Sequence, residues 1–200
     1  MSELSYDSPL AGITAPAGLS VSIREIAERG MIDLRGLATD EAFMAAVKTV
    51  LGLDLPLKPR TSATWGDIRV LWLSTDQWLI ISTRSKVNGI LASLNAALTG
   101  IHSLAVDVSD MRAVIRLEGE GCREVLMKGT SLDLLSAEAI PGFCRRMRYA
   151  EIAALLHVVE EDVFDVYVFR SYAHYTWNFL CATAREGAKV KLFSAQDVAV

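Results

Sequence analysis

The sequence predicts an α+β fold made of two similar halves, each running strand, helix, hairpin, helix, with mainly antiparallel sheets and pseudo-twofold symmetry. Three observations predict it. Short apolar runs of strand length alternate with segments whose apolar residues recur at helical spacing. The order of these segments repeats after residue 100, and matching glycine, aspartate and serine positions recur 83 to 86 residues apart. The hairpin strands are almost continuously apolar, which is typical of strands covered on both faces.

The 200 residues are predicted to form one compact domain. Residues 1–18 contain two prolines and two glycines with little periodicity, and are predicted to be an irregular N-terminal arm. The first α+β half is predicted to span residues 19–100, and the second residues 101–200.

The first half opens with two short extended runs, residues 19–27 and 31–37. Thr39 is predicted to cap the helix that follows, because two acidic residues come directly after it and the helix dipole favours acids in the first turn. Gly52 is predicted to end this helix in the left-handed conformation. The apolar stripe of the helix consists of Phe43, Val47, Val50 and Leu51.

The rest of the first half contains a loop, a hairpin and a second helix. Residues 53–64 include two prolines and are predicted to be the loop. Residues 69–73 and 77–82 flank a polar turn and are predicted to form the β-hairpin. Ser85 is predicted to cap the second helix.

The second half repeats this plan. We expect a strand at residues 114–119, a helix at 123–128, a hairpin of residues 154–159 and 163–169, and a last helix capped by Ser171. The helices of each half can cover only one face of its sheet. The apolar strands therefore predict that the other face packs against the second half or against a partner protein.

The composition excludes several classes of protein. The chain has 24 acidic and 20 basic residues without a basic block, which argues against nucleic-acid binding. No apolar run approaches the ~20 residues that span a bilayer, and the polar, acidic N-terminus does not resemble a secretion signal. The sequence therefore predicts a cytoplasmic protein without membrane contact. Its hydrophobic content of 52% predicts either an unusually full core or a surface that is covered by another protein.

The sequence contains no common catalytic or cofactor motif of the serine hydrolase, P-loop or zinc protease type. Residues 119–124 resemble a dinucleotide-binding turn but lack its third glycine and add acids, so they are interpreted as a tight turn. Residues 107–112 are interpreted as a turn with an Asx hydrogen bond, with an amine or pterin site as the alternative. Cys122 is interpreted as an inert packed thiol, and the three histidines as structural or exposed residues.

Two segments are predicted to contact a partner protein. Three arginines in four residues after Pro141 are typical of a solvated loop or a salt-bridge rim, and they are interpreted as the rim of a protein interface. The last helix is dense in aromatic residues, of which Trp177 belongs to the core stripe while others fall on different faces. No catalytic, cofactor-binding or metal-binding residue is predicted. The predicted contact residues are Arg145, Arg146, Arg148, Tyr172, Tyr175 and Phe179.

Seven short segments carry a resemblance to a known family: residues 8–10, 33–36, 71–73, 76–79, 106–110, 128–134 and 170–177. Through their order and spacing, the chain resembles the gamma subunit of heterotetrameric sarcosine oxidase. Thr130 departs from the cysteine expected there in that family. Residues 106–109 and 115–119 are also similar to the glycine cleavage T-protein family. The resemblance thus implies a fold like the N-terminal folate-binding region of that protein.

The resemblance implies a non-catalytic subunit of a flavoenzyme that demethylates sarcosine to glycine, forms hydrogen peroxide and passes the methyl group to tetrahydrofolate. It implies alpha, beta and delta subunits as partners, mainly alpha. FAD and FMN are expected on beta, NAD and tetrahydrofolate on alpha, zinc on delta, and no cofactor on this chain. Two alternatives stay open: a free-standing folate-binding or aminomethyl-transfer protein that uses Asp107, and the equivalent subunit of an N-methylglutamate dehydrogenase.

Overall fold

A computed structural model describes residues 6–190; the first five residues of the predicted arm and the last ten of the predicted second half lie outside the described residues. The strands are β1 (Ser22–Glu25), β2 (Arg29–Gly36), β3 (Ser62–Trp65), β4 (Ile68–Ser74), β5 (Gln77–Thr83), β6 (Ser103–Asp107), β7 (Arg112–Glu118), β8 (Cys144–Tyr149), β9 (Ile152–Glu160) and β10 (Val163–Phe169). The α-helices are α1 (Glu41–Leu51), α2 (Val87–Ala97), α3 (Cys122–Met127) and α4 (Ala173–Thr183). The predicted α+β class with two similar halves is confirmed.

The strands form two five-stranded sheets in which neighbouring strands are antiparallel. The first sheet has the order β3-β4-β5-β2-β6, and the second has the order β1-β7-β10-β9-β8. Helices α1 and α2 cover one face of the first sheet, where Phe43 and Leu94 are buried. Helices α3 and α4 cover one face of the second sheet through Val125 and Leu180.

The faces left uncovered by helices pack against each other. A separate buried cluster lies there, made of Met31, Leu71, Leu73, Leu79, Ile81, Val114, Cys144, Leu155 and Tyr167. The apolar hairpin strands are therefore covered on both faces within the chain, by helices on one side and by the opposite sheet on the other. The sequence predicts that the second face of each sheet packs against the other half of the chain or against a partner protein. In the structure it packs against the other half.

The two halves exchange one strand each. β1 precedes residue 100 but pairs with β7 in the second sheet, and β6 follows residue 100 but pairs with β2 in the first sheet. The connections β1–β2 and β6–β7 thus cross between the sheets, and the Val108 N–H donates to the Met31 carbonyl at 2.9 Å beside one crossing. A division at residue 100 separates the two repeats but not the two sheets. Local patterns do not show this, because the pairing partners lie about 70 to 95 residues away in the chain.

The helix ends follow the sequence only in part. α1 is capped by Asp40 rather than Thr39, and its carboxylate accepts hydrogen bonds from two main-chain N–H groups at 2.9 and 3.2 Å. Gly52 ends α1 with φ of 73°, in the predicted left-handed conformation. The predictions for Ser85 and Ser171 are wrong. Each lies in a 3-10 turn that leads directly into α2 or α4, and neither helix has a side-chain cap.

Two strands lie in segments for which the sequence predicts no strand: the predicted loop at residues 53–64 and the arginine-rich segment. β3 occupies the end of the segment 53–64 and pairs with β4. β8 contains the arginine-rich segment and pairs with β9. Both are edge strands, and exposed polar residues on an edge strand resemble loop residues in a sequence.

Candidate partner-binding surface

The three predicted arginines lie on the edge strand β8. β8 pairs with β9 on one side, while on the other side the N–H of Cys144 donates to the carbonyl of Arg60 at 2.9 Å. Cys144 and Tyr149 are buried at the two ends of the strand, and the arginines between them are exposed. Positive side chains on an edge discourage unspecific strand pairing. They also form a basic strip that is open to a partner.

The positive charge of this strip is only partly neutralised. Arg148 pairs with Glu151, three residues later. Arg146 donates to the carbonyl of Leu73 at 2.8 Å, which fixes the side chain without cancelling its charge. Arg145 forms no ion pair within residues 6–190. The strip therefore retains positive charge that acidic groups of another protein can pair with.

The predicted aromatic residues of α4 adjoin the end of β8. Tyr149 packs edge-to-face on Phe179 with ring centroids 5.5 Å apart, and Tyr175 stacks on Phe179 at 6.3 Å. Gly129 lies beneath this group, since a Cβ there would be 2.5 Å from the Tyr149 ring. Tyr172 lies one turn before Tyr175, and their exposed fractions are 44% and 40%. The contact between Tyr149 and Phe179 thus brings the end of β8 next to α4, although the arginines and the aromatic residues are 24 or more positions apart in the chain.

Two grooves extend this surface. One of about 390 Å³ is lined by residues 130–133 and by residues 145–148 of β8. A second, more apolar groove of about 630 Å³ shares residues 130–133 and reaches Leu135 and Val190. We call the whole region the β8–α4 surface: Arg145, Arg146, Arg148, Tyr172, Tyr175, Phe179 and residues 130–135. Sequence reasoning missed residues 130–135 as part of this region, since residues 128–134 carry only the family resemblance.

The thiols have structural environments. Burial raises the pKa of Cys122 and of Cys144 to about 12, and it also raises the pKa of Cys181. Because the thiolate is the reactive form of cysteine, these thiols are unsuited to nucleophilic catalysis. This agrees with the interpretation of Cys122 as an inert packed thiol.

The histidines are structural or exposed, as interpreted from the sequence. His157 lies within β9 at 2% exposure, and its Nε2 is 3.0 Å from the hydroxyl oxygen of Ser62 on β3. Burial lowers the pKa of His157 to about 4, so the ring is neutral at pH 7. His102 and His174 are exposed.

The segment at residues 107–112 is a structural turn. The Asp107 carboxylate accepts from the N–H and the hydroxyl of Ser109, at 2.9 and 2.5 Å. The Ser109 hydroxyl in turn accepts from the N–H of Met31 at 2.9 Å. The turn therefore has the predicted Asx hydrogen bond, and it ties the β6–β7 crossing to β2.

The glycine-rich run beginning at Gly119 is also a turn. Gly119 has φ of 127°, and the helix after it has only six residues. Within residues 6–190, no group of three His, Cys, Asp or Glu side chains is arranged to hold a metal ion. No helix in the same range is long and apolar enough to cross a membrane.

Sequence reasoning also missed a buried ionic group between the sheets. Asp165 of β10 is fully buried and accepts from both Nε and Nη2 of Arg116, at 2.6 and 2.9 Å. Arg69 of the first sheet lies 3.4 Å from the same carboxylate. An aspartate inside an otherwise apolar strand is the one sequence signal that pointed to it.

The fold is shared with two enzymes of known structure. Heterotetrameric sarcosine oxidase from Corynebacterium sp. U-96, in complex with pyrrole 2-carboxylate, contains a chain similar at a TM-score of 0.83 and 24% identity, over 94% of this chain and 99% of that chain. The glycine cleavage system aminomethyltransferase T from Bartonella henselae is similar at a TM-score of 0.65 and 15% identity, over 84% of this chain and 47% of that chain. The molecule is therefore a two-sheet α+β domain of the kind found in aminomethyltransferase T.

Sequence comparison narrows this class to a family. The model of the sarcosine oxidase, gamma subunit family matches residues 35–186. Sarcosine oxidase subunit gamma of Corynebacterium sp. (strain U-96) is 28% identical over 183 residues, which are 90% of this chain and 84% of that protein. The chain belongs to the sarcosine oxidase gamma subunit family.

Proposed function

We propose that this chain is the non-catalytic gamma subunit of a heterotetrameric sarcosine-oxidase-like flavoenzyme, and that it packs mainly on the large alpha subunit. The complex demethylates sarcosine oxidatively to glycine and passes the methyl group to tetrahydrofolate. The observation that carries the proposal is the family match over residues 35–186. Beta and delta subunits complete the assembly, which we place in the cytoplasm.

A non-catalytic role fits the state of the reactive side chains. The three cysteines are buried with raised pKa values, and Asp107 is engaged in a turn with Ser109. The family resemblance implies FAD, FMN, NAD, zinc and tetrahydrofolate on the partner subunits, and we include this assignment in the proposal.

Co-expression tests the assignment. The chain expressed alone is expected to be colourless and inactive, and co-expression with the alpha, beta and delta subunits is expected to give a flavin-containing complex that oxidises sarcosine. An assembly prepared without this chain should be less soluble or less active. Full activity without the chain, or tight stoichiometric binding of tetrahydrofolate by the isolated chain, would contradict the proposal.

We assign the alpha-subunit contact to the β8–α4 surface, because it contains exposed arginines and exposed aromatic rings, and both residue types are enriched at interfaces. The test is co-purification with tagged alpha subunit. Arg145→Glu and Tyr175→Ala should each weaken retention about tenfold or more, as expected for residues that contribute over ~1.4 kcal/mol. Lys48→Glu is the matched control, since the Lys48 side chain is 59% exposed and belongs to α1, which covers the first sheet and not the second. If the tagged alpha subunit retained all three variants equally, the contact would lie elsewhere on this chain.

A further inference from the structure

A group of charged and polar side chains lies between the two sheets, beside the apolar intersheet core. Asp165 pairs across the second sheet with Arg116 on β7 and with His157 on β9. The cross-strand partner of Tyr167, two residues further along β10, is Val114 of the intersheet core. The first sheet contributes Arg69, 3.4 Å from Asp165, and Arg29, which lies two residues before Met31 of the intersheet core and thus on the same face of β2. We call Arg29, Arg69, Arg116, Asp165 and Tyr167 the intersheet cluster.

The charges in the intersheet cluster do not balance. It contains three guanidinium groups and one carboxylate, and Asp165 already accepts a two-point contact from Arg116. Glu118 at the rim is 3.9 Å from Arg116, but it is shared with Arg24 at 2.9 Å. The side chains of Arg69 and Arg116 are only 21% and 12% exposed. Buried charge of one sign is costly unless an opposite charge accompanies it.

Hydrogen-bond donors in the cluster also lack acceptors. The hydroxyl of Tyr167 and the Nε of Arg29 are buried and have no hydrogen-bond partner among residues 6–190. Tyr167 is fully buried, and burial raises its pKa. Asp165 lies two residues before Tyr167 on β10 and pairs across strands with Arg116, so the ring and these charged groups lie on the same, intersheet side of the second sheet. Unpaired buried donors cost about 1–3 kcal/mol each.

We propose that the intersheet cluster binds one small monovalent anion of the size of chloride, held by the Tyr167 hydroxyl, the Arg29 Nε–H and the guanidinium of Arg69. An anion supplies both the missing negative charge and the missing acceptor, whereas a water molecule supplies only the acceptor. The neighbouring Leu71, Val114 and Leu155 are at most 1% exposed, and these apolar side chains offer no hydrogen bonds to the additional oxygens of a polyatomic anion, which favours a monatomic ion. Because Arg29 and Arg69 belong to the first sheet and Tyr167 to the second, the ion joins the two sheets.

The first test uses the thermal unfolding midpoint of the full-length chain at constant ionic strength. Replacing gluconate by chloride should raise the midpoint by about 2–4 °C once chloride exceeds its dissociation constant about fivefold. Arg29→Gln and Tyr167→Phe should lose most of this rise. Arg24→Gln is the matched control, because Arg24 is an exposed arginine paired with Glu118, and it should keep the rise. An equal chloride effect in Arg29→Gln and Arg24→Gln would overturn the proposal.

A second test does not depend on the variants folding. Crystals of the unaltered chain, alone or in its complex, are soaked in bromide and measured at the bromine absorption edge. An anomalous peak beside the Tyr167 hydroxyl and the Arg29 side chain supports the site. Water density without an anomalous peak at that position overturns it.

Discussion

At the scale of single residues, His157 shows how a polar side chain is kept within an apolar strand. It lies at 2% exposure, its Nε2 is 3.0 Å from the hydroxyl oxygen of Ser62, and its cross-strand neighbour is Asp165. Burial disfavours the imidazolium more than the nearby carboxylate favours it, so the pKa falls to about 4. The contact with Ser62 connects β9 to β3 of the other sheet.

This lowered pKa makes stability depend on pH. The unfolded chain binds a proton at His157 near pH 6.5, while the folded chain binds it near pH 4. Unfolding is therefore increasingly favoured as the pH falls from 6.5 towards 4. His157 should lower the free energy of unfolding by about 2 kcal/mol between pH 7 and pH 5. Urea titration at each pH measures this change. His157→Asn should flatten this dependence, and His174→Asn, at an exposed position, should leave it unchanged. The same slope in His157→Asn would contradict the assignment.

Gly129 is a second residue with a measurable role. A Cβ at this position would be 2.5 Å from Tyr149 and 2.9 Å from Phe179, so Gly129→Ala should lower the free energy of unfolding by about 1–3 kcal/mol. A Cβ added at Gly89 in α2 would meet no heavy atom within 4 Å beyond its chain neighbours and the backbone of its own helix. Gly89→Ala should therefore raise the free energy of unfolding by about 0.5–1 kcal/mol. Chemical denaturation measures both. If both substitutions changed the free energy of unfolding equally, the aromatic rings would have moved to make room for the methyl group at position 129.

At the scale of elements, the caps give a direct comparison. Asp40→Ala removes the acceptor of two main-chain hydrogen bonds at the start of α1 and should cost about 1 kcal/mol of unfolding free energy. Ser85→Ala and Ser171→Ala should change it by less than about 0.5 kcal/mol, because neither serine caps a helix. Thermal unfolding of the three variants provides the measurement. If Ser85→Ala lowered the free energy of unfolding as much as Asp40→Ala, Ser85 would cap α2, as the sequence predicts.

The same elements show what the sequence could predict. The spacing of Phe43, Val47 and Leu51 determines which side of α1 is buried, and both hairpins could be located because their strands are long and apolar. β8 could not be located, because its arginines face solvent and its pairing with β9 depends on residues elsewhere in the chain. The arginines and the aromatic residues of the β8–α4 surface are two separate predictions from the sequence. The assembly of this surface depends on the contact between Tyr149 and Phe179, which are 30 positions apart.

At the scale of the whole molecule, the strand exchange links the two sheets. β1 and β6 each complete the sheet formed by the opposite half of the chain, and the intersheet core draws residues from both halves. Neither half can therefore bury its strands alone, even though the halves resemble each other in element order.

Expression of separate halves tests this dependence. Fragments 1–100 and 101–200 should each lack a cooperative unfolding transition when produced alone, because each loses one edge strand and the cover of one sheet face. Mixed together they should recover secondary structure, as followed by circular dichroism. A cooperative transition in either isolated fragment would show that the exchanged strand and the shared core are dispensable.

The protected thiols make the chain convenient to label. Cys122, Cys144 and Cys181 are all buried with raised pKa values, so maleimide reagents should react slowly with the folded protein. A cysteine introduced at exposed Ser131, which lines the groove between residues 130–133 and β8, would then be the preferred attachment point for a fluorophore. Such a probe could follow subunit docking in real time without removal of any native cysteine.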